Sequence, residues 1–167
     1  MSTFVAVNTY THSVTYVTNK ILLTLKNIIL FSGLSPEKLT NQWAVLELGI
    51  KTWLDSKDLT GIVLEVYNPR TNALIGRWDL DIRYDYNGGD GAFWVNTDEI
   101  RYYIQKAGVW PSSCDYRILA TTEPFRPNVD GWTTGSFRST EGFTKQSLGT
   151  TIDGNGLGVG ASYWRKG

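Results

Sequence analysis

The segment from Pro124 to Gly167 limits the folds open to this chain more than any other. It holds nine of the seventeen glycines, yet it also carries Phe125, Trp132, Phe137, Phe143, Tyr163 and Trp164. A disordered tail is poor in aromatics, because without large apolar groups a chain cannot offset its ordering entropy. A regular helix or strand is poor in glycine, which weakens both. Anchors and hinges together describe a segment that is held down in more than one shape. Its forty-four residues far exceed the usual loop limit of about 12–15.

The stretch before it reads as an ordered layout. Val14, Val17, Ile21, Leu25, Ile28 and Ser32, widened by Leu22 and Ile29, mark a helix that starts between Thr11 and Ser13. Gly33 stops it. Lys20 and Lys26 interrupt its apolar run, so it reads as a buried helix and not as a membrane span. A second helix is predicted with Ser35 as N-cap and Pro36 at its first position. Leu39, Trp43, Leu46, Ile50 and Trp53 form its stripe, and it ends near Asp55. Ile62 to Tyr67 is β-prone, and Asn68 to Asn72 is a turn. From Leu74 the alternation puts Gly76, Trp78, Leu80, Ile82 and Tyr84 on one face. Arg77, Asp79, Asp81 and Arg83 form a wet opposite face. Phe93 to Val95 resumes briefly as strand. A third helix follows, capped by Asn96 with Glu99 as the other half of a capping box. Tyr116 to Thr122 is the next strand, and Pro124 and Pro127 close off regular structure. The order implies an α+β fold, three helices packed on a mainly antiparallel sheet. Phe4-Val5-Ala6-Val7 reads equally as an edge strand or a loose arm.

Composition and local motifs point away from catalysis. A net charge of zero gives no global field for nucleic acid or an anionic membrane. A single cysteine, Cys114, excludes an internal disulfide and suits a reducing cytoplasm. The N-terminus lacks the basic start and apolar run of a secretory signal. His12, the one histidine, has no partners at zinc or triad spacing and reads as a capping or surface residue. Asp85 to Gly91 fails as a calcium loop, since Gly89 and Asn96 stand where ligands belong. Asp79 and Asp81 read as solvated carboxylates. Gly154-Asn155-Gly156-Leu157-Gly158-Val159-Gly160 lacks the following helix of a dinucleotide fingerprint. It reads as a flexible connector between two anchored strands, its glycines giving slack. No cofactor or metal is expected, and binding is where the residues point.

Several stretches carry a family resemblance. They are Thr11-His12-Ser13-Val14-Thr15-Tyr16-Val17, Asp90-Gly91-Ala92-Phe93-Trp94, Gly131-Trp132, Gly135-Ser136-Phe137-Arg138-Ser139-Thr140, Lys145-Gln146-Ser147-Leu148-Gly149 and the Tyr163-Trp164-Arg165 ending. With them the chain resembles the bacterial HORMA-domain proteins of CBASS anti-phage signalling systems over its whole length. The resemblance implies a single HORMA-like domain, 1–167, with a core over 1–123 and a C-terminal safety belt over 124–167. It implies a belt that wraps a closure-motif peptide added to the sheet edge. The belt residues are then Trp132, Gly135, Ser136, Phe137, Arg138, Phe143, Lys145, Gln146, Ser147 and Leu148. It further implies a non-catalytic adaptor. The closed form would bind and activate a cGAS-like nucleotidyltransferase (CD-NTase), which makes a cyclic oligonucleotide messenger. An AAA+ remodelling ATPase would reopen it through Ser2, Thr3, Phe4, Val5, Ala6 and Val7. Arg138 and Lys145 are expected to touch the partner or to pair with Glu141. From the residues alone, a non-switching β-rich recognition module for peptides or glycans is the alternative.

Overall fold

The computed structural model describes residues 9–84 and 93–166. The Ser2–Val7 arm and the Asp85–Gly91 loop lie outside them. Helix α1 (Thr9–Phe31) forms because its apolar residues recur at helical steps. Val14, Val17, Ile21, Leu22, Leu25, Ile28 and Ile29 are all buried. The helix is long and apolar enough to cross a membrane, but this stripe lies in the protein core against α3, α4 and β5. Gly33 ends it in the left-handed region at φ +86°.

The second predicted helix is two. α2 (Glu37–Asn41) and α3 (Trp43–Asp55) are separated at Gln42, where ψ is 6°. The three expected helices are therefore four. Pro36 directly precedes α2, and Ser35 Oγ accepts from Glu37 N–H at 3.3 Å, the bond its capping position predicts. A tertiary contact adds to it: the Tyr116 hydroxyl accepts from Leu39 N–H (3.2 Å) and donates to Ser35 O (2.7 Å). Leu39, Leu46, Ile50 and Trp53 are in the core, and Trp43 packs against it half-buried.

Strands β1 (Leu59–Tyr67), β2 (Leu74–Arg83) and β3 (Phe93–Val95) precede α4 (Thr97–Ala107), and β4 (Asp115–Thr122) follows it. Asn96 caps α4 as its spacing predicts. Its Oδ1 accepts from Glu99 N–H at 3.1 Å, and its Nδ2 donates to Glu99 Oε2 at 2.8 Å. Regular structure does not end at Pro124. β5 (Phe143–Gly154) and β6 (Gly158–Lys166) complete a six-stranded antiparallel sheet of order β3-β5-β6-β2-β1-β4. Leu148, Ile152, Leu157, Val159, Ala161 and Tyr163 from this hairpin enter the core. The strap between β4 and β5 is irregular.

The Gly154–Gly160 run is not slack. Gly154, Gly158 and Gly160 are buried within paired strands, joined by a short turn with Asn155 at φ 56° and Gly156 at φ 101°. A Cβ on Gly154 would stand 2.4 Å from Val17 Cγ2, so the glycine allows α1 to lie on β5. Gly154→Ala is expected to cost about 1–3 kcal/mol by overpacking. In denaturant melts, Gly154→Ala combined with Val17→Ala should lose less than the sum of the single losses. Strict additivity would refute the contact.

Candidate functional site

β4 closes one edge of the sheet, pairing with β1 and, among the described residues, with no strand beyond it. Such an edge presents a row of unpaired backbone donors and acceptors. The strap from 123 to 142 passes around this edge. It begins on the helical face, where Trp53 Nε1 donates to Pro127 O (2.7 Å) and Val129 is buried. Trp132 docks beside it, its ring edge-on to Trp53 at 4.9 Å and its Nε1 donating to Val45 O at 2.9 Å. Gly49 of α3 makes this seat possible, since a Cβ there would lie 2.3 Å from the Trp132 indole nitrogen. Residues 133–135 then cross the edge exposed to solvent.

On the other face the strap meets a row of side chains in register. Arg117 of β4 stands opposite Glu65 of β1, Glu65 opposite Arg77 of β2, and Arg77 opposite Trp164 of β6. Ser136 O accepts from Arg117 Nη2. Phe137 lies against the Arg77 guanidinium, with its ring centroid 4.5 Å from it. The face expected to be wet is therefore partly covered. Arg77 holds Asp79 through two bonds (2.7 and 3.1 Å), and Trp164 Nε1 also donates to Asp79 (3.1 Å). Asp79 is buried, whereas Asp81 stays exposed. Period-two alternation placed these residues on one face, but the strap and β6 decide what that face touches.

Glu65 is the charge centre of the site. Its side chain is fully buried. Oε1 accepts from Arg117 Nε and from Arg138 Nη1, both at 2.8 Å, and Oε2 accepts from the Arg138 amide at 2.7 Å. Arg138 also stacks 3.6 Å over the Tyr67 ring and donates from Nη2 to Asn72 Oδ1 at 2.6 Å. Such a carboxylate is tolerable in the interior only when its acceptor sites are filled by charged and oriented donors. Arg138 thus pairs with Glu65, and Lys145 reaches Asp79 at 3.8 Å; neither makes the expected pair with Glu141.

Between the β4 edge and the strap lies a groove of about 380 Å³. β4 contributes Arg117 to Thr122, α3 contributes Trp53, and the strap contributes Arg126, Trp132 to Gly135 and Phe137. Its shape suits an extended chain laid along a strand edge. Of the residues predicted for the site, Trp132, Gly135 and Phe137 line this groove, while Ser136 and Arg138 fix the strap beside it. Phe143, Lys145, Gln146, Ser147 and Leu148 lie on β5, with β6, β2 and β1 between them and β4. Leu148 is core; Lys145, Gln146 and Ser147 are exposed. Sequence reasoning missed Glu65, Arg117 and Arg126. Glu65 carried a signal, as the lone charge within Ile62-Val63-Leu64-Glu65-Val66.

Elsewhere the described residues offer little chemistry. No group of three His, Cys, Asp or Glu among them could hold a metal ion. His12 is exposed, its ring 5.3 Å from Phe93. Burial pushes the Cys114 thiol up, away from the thiolate form that a nucleophile requires.

The architecture recurs among solved structures. A chain of a mitotic checkpoint complex superposes with a TM-score of 0.75 at 10% identity, covering 93% of this chain and 99% of that one. HTP-1 from C. elegans, bound to the HIM-3 closure motif, gives 0.70 at 12% identity over 92% and 89%. An E. coli MS115-1 complex of CdnC with a HORMA protein gives 0.62 at 10% identity over 100% and 94%. These likenesses define the HORMA fold. The chain belongs to the family Bacterial HORMA domain 2, which it matches over residues 1–167. No curated protein matches it by sequence.

The Glu65 junction makes a testable statement about the strap. Glu65→Ala strands two guanidiniums on the sheet and is expected to cost about 3–5 kcal/mol in denaturant melts. Arg138→Leu removes only one donor arm and should cost less. In both, limited proteolysis should cut first within residues 133–142. Cleavage patterns identical to wild type would show that Glu65 does not hold the strap.

Proposed function

We propose that this protein is a peptide-sensing switch, and that the arrangement described is its closed form. The carrying observation is an unpaired β4 edge beneath a strap that wraps from the helical face to the opposite face. An extended peptide adds to β4 as a further strand. Backbone pairing gives sequence-tolerant affinity, and the groove walls select side chains. Residues 124–167 act as the safety belt on a 1–123 core. Trp132, Gly135, Ser136, Phe137 and Arg138 form the part over the peptide. Phe143, Lys145, Gln146, Ser147 and Leu148 belong to the hairpin that changes place on opening. Support comes from the fold shared with a C. elegans protein bound to a closure motif.

The closed form binds and activates a CD-NTase, a role supported by the shared fold of a HORMA protein complexed with CdnC. On this reading the protein is a non-catalytic adaptor of cytoplasmic antiviral defence. An AAA+ ATPase reopens it by engaging Ser2 to Val7. Relocation of the belt requires two arrangements separated by a few kcal/mol and biased by ligand.

Truncation at Pro124 is a poor test, since it would remove β5 and β6 from the sheet. A better one enriches a displayed random nonapeptide library on the full chain. A consensus peptide should emerge, and its synthetic form should slow proteolysis of residues 124–142. Trp132→Ala and Phe137→Ala should each weaken its capture about tenfold or more while changing the melting of the peptide-free protein less. A peptide that binds without altering belt protection would instead identify a fixed recognition module.

A further inference from the structure

We infer that the groove selects an acidic peptide, one with a carboxylate toward each end and apolar side chains between. This rests on the reading of the groove as a peptide site and goes beyond it in naming the peptide's chemistry. The lining contains two arginines, Arg117 and Arg126, and no Asp or Glu. Arg117 is only partly neutralised, because Glu65 is shared between it and Arg138, one carboxylate against two guanidiniums. Its side chain stays about one-third exposed, at 34%. Arg126 has no ion pair among the described residues. It rests 4.9 Å over the Trp53 ring and makes long bonds to Pro127 O (3.5 Å) and Asn128 Oδ1 (3.3 Å). Stacking on an indole holds a guanidinium in place without cancelling its charge.

The two cations mark opposite ends of the groove. Arg117 is near the start of β4, and Arg126 follows its end. An extended strand rises about 3.3 Å per residue, so the stretch from Arg117 to Thr122 spans roughly 17 Å, about five residues of a paired peptide. Leu119, Ala120, Trp132 and Phe137 line the space between. Cationic peptide side chains would meet guanidiniums that are not fully neutralised, whereas carboxylates can accept N–H bonds from them.

The test uses the full chain and the displayed random nonapeptide library. Enriched sequences should carry Asp or Glu at two positions four to six residues apart. Synthetic peptides with those residues changed to Asn or Gln should bind roughly tenfold to a hundredfold more weakly, the range expected for lost charged hydrogen bonds. Binding of the acidic form should also weaken as salt is raised. Arg126→Glu should shift the enriched residue at one end toward Lys or Arg. Equal binding of acid and amide peptides overturns the acidic selection while leaving peptide capture intact. Failure of wild type to enrich any sequence overturns both.

Discussion

A single buried carboxylate sets the relation between sheet and strap. Glu65 stands in an apolar strand, and removing its charge from water is costly unless donors replace the lost hydration. Those donors come from two directions: Arg117 on the neighbouring edge strand, and the side chain and amide of Arg138 on the strap. The path of the strap over this face of the sheet is therefore tied to satisfying Glu65. Arg77 extends the same logic inward, holding Asp79 below and Phe137 above.

The strap is fixed at its ends and bare in the middle. Trp132 seats it on α3, the Glu65 junction seats it on the open face, and residues 133–135 cross between them exposed. Segments with few buried contacts open locally at low free energy. The hairpin that follows is held through apolar burial, with Leu148, Ile152, Leu157, Val159, Ala161 and Tyr163 all in the core.

Much of the fold was legible because its signals are local. The stripe from Val14 to Ile28, the Asn96–Glu99 cap and the Leu74 to Ile82 alternation each act within a few residues, and each formed as its pattern required. Trp132 docks as a large aromatic among glycines is expected to, whereas Phe137 stays 40% exposed and Phe125 98% exposed. The rest depended on distant partners. Glu65 meets Arg117 and Arg138 across 52 and 73 residues. The start of α2 is tied by a tyrosine on β4, and Asp79 is covered by a tryptophan on β6. No spacing encodes such pairs. Gly154 and Gly160 were misread for the same reason, since the residues they make room for, Val17 and Arg83, are remote in sequence.

The placement of β6 has a consequence for how the chain is made. It lies between β5 and β2, and its Trp164 bonds to an aspartate 85 residues earlier. Every other described strand precedes it in synthesis, so the centre of the sheet is the last part available to pair. Contacts this distant in sequence slow folding, because loop closure must precede their gain. Helices α1 and α3 and the β1–β2 hairpin can assemble first, leaving the β2 edge open to whatever strand reaches it. The central strand of the sheet is thus completed only by the C-terminal hairpin.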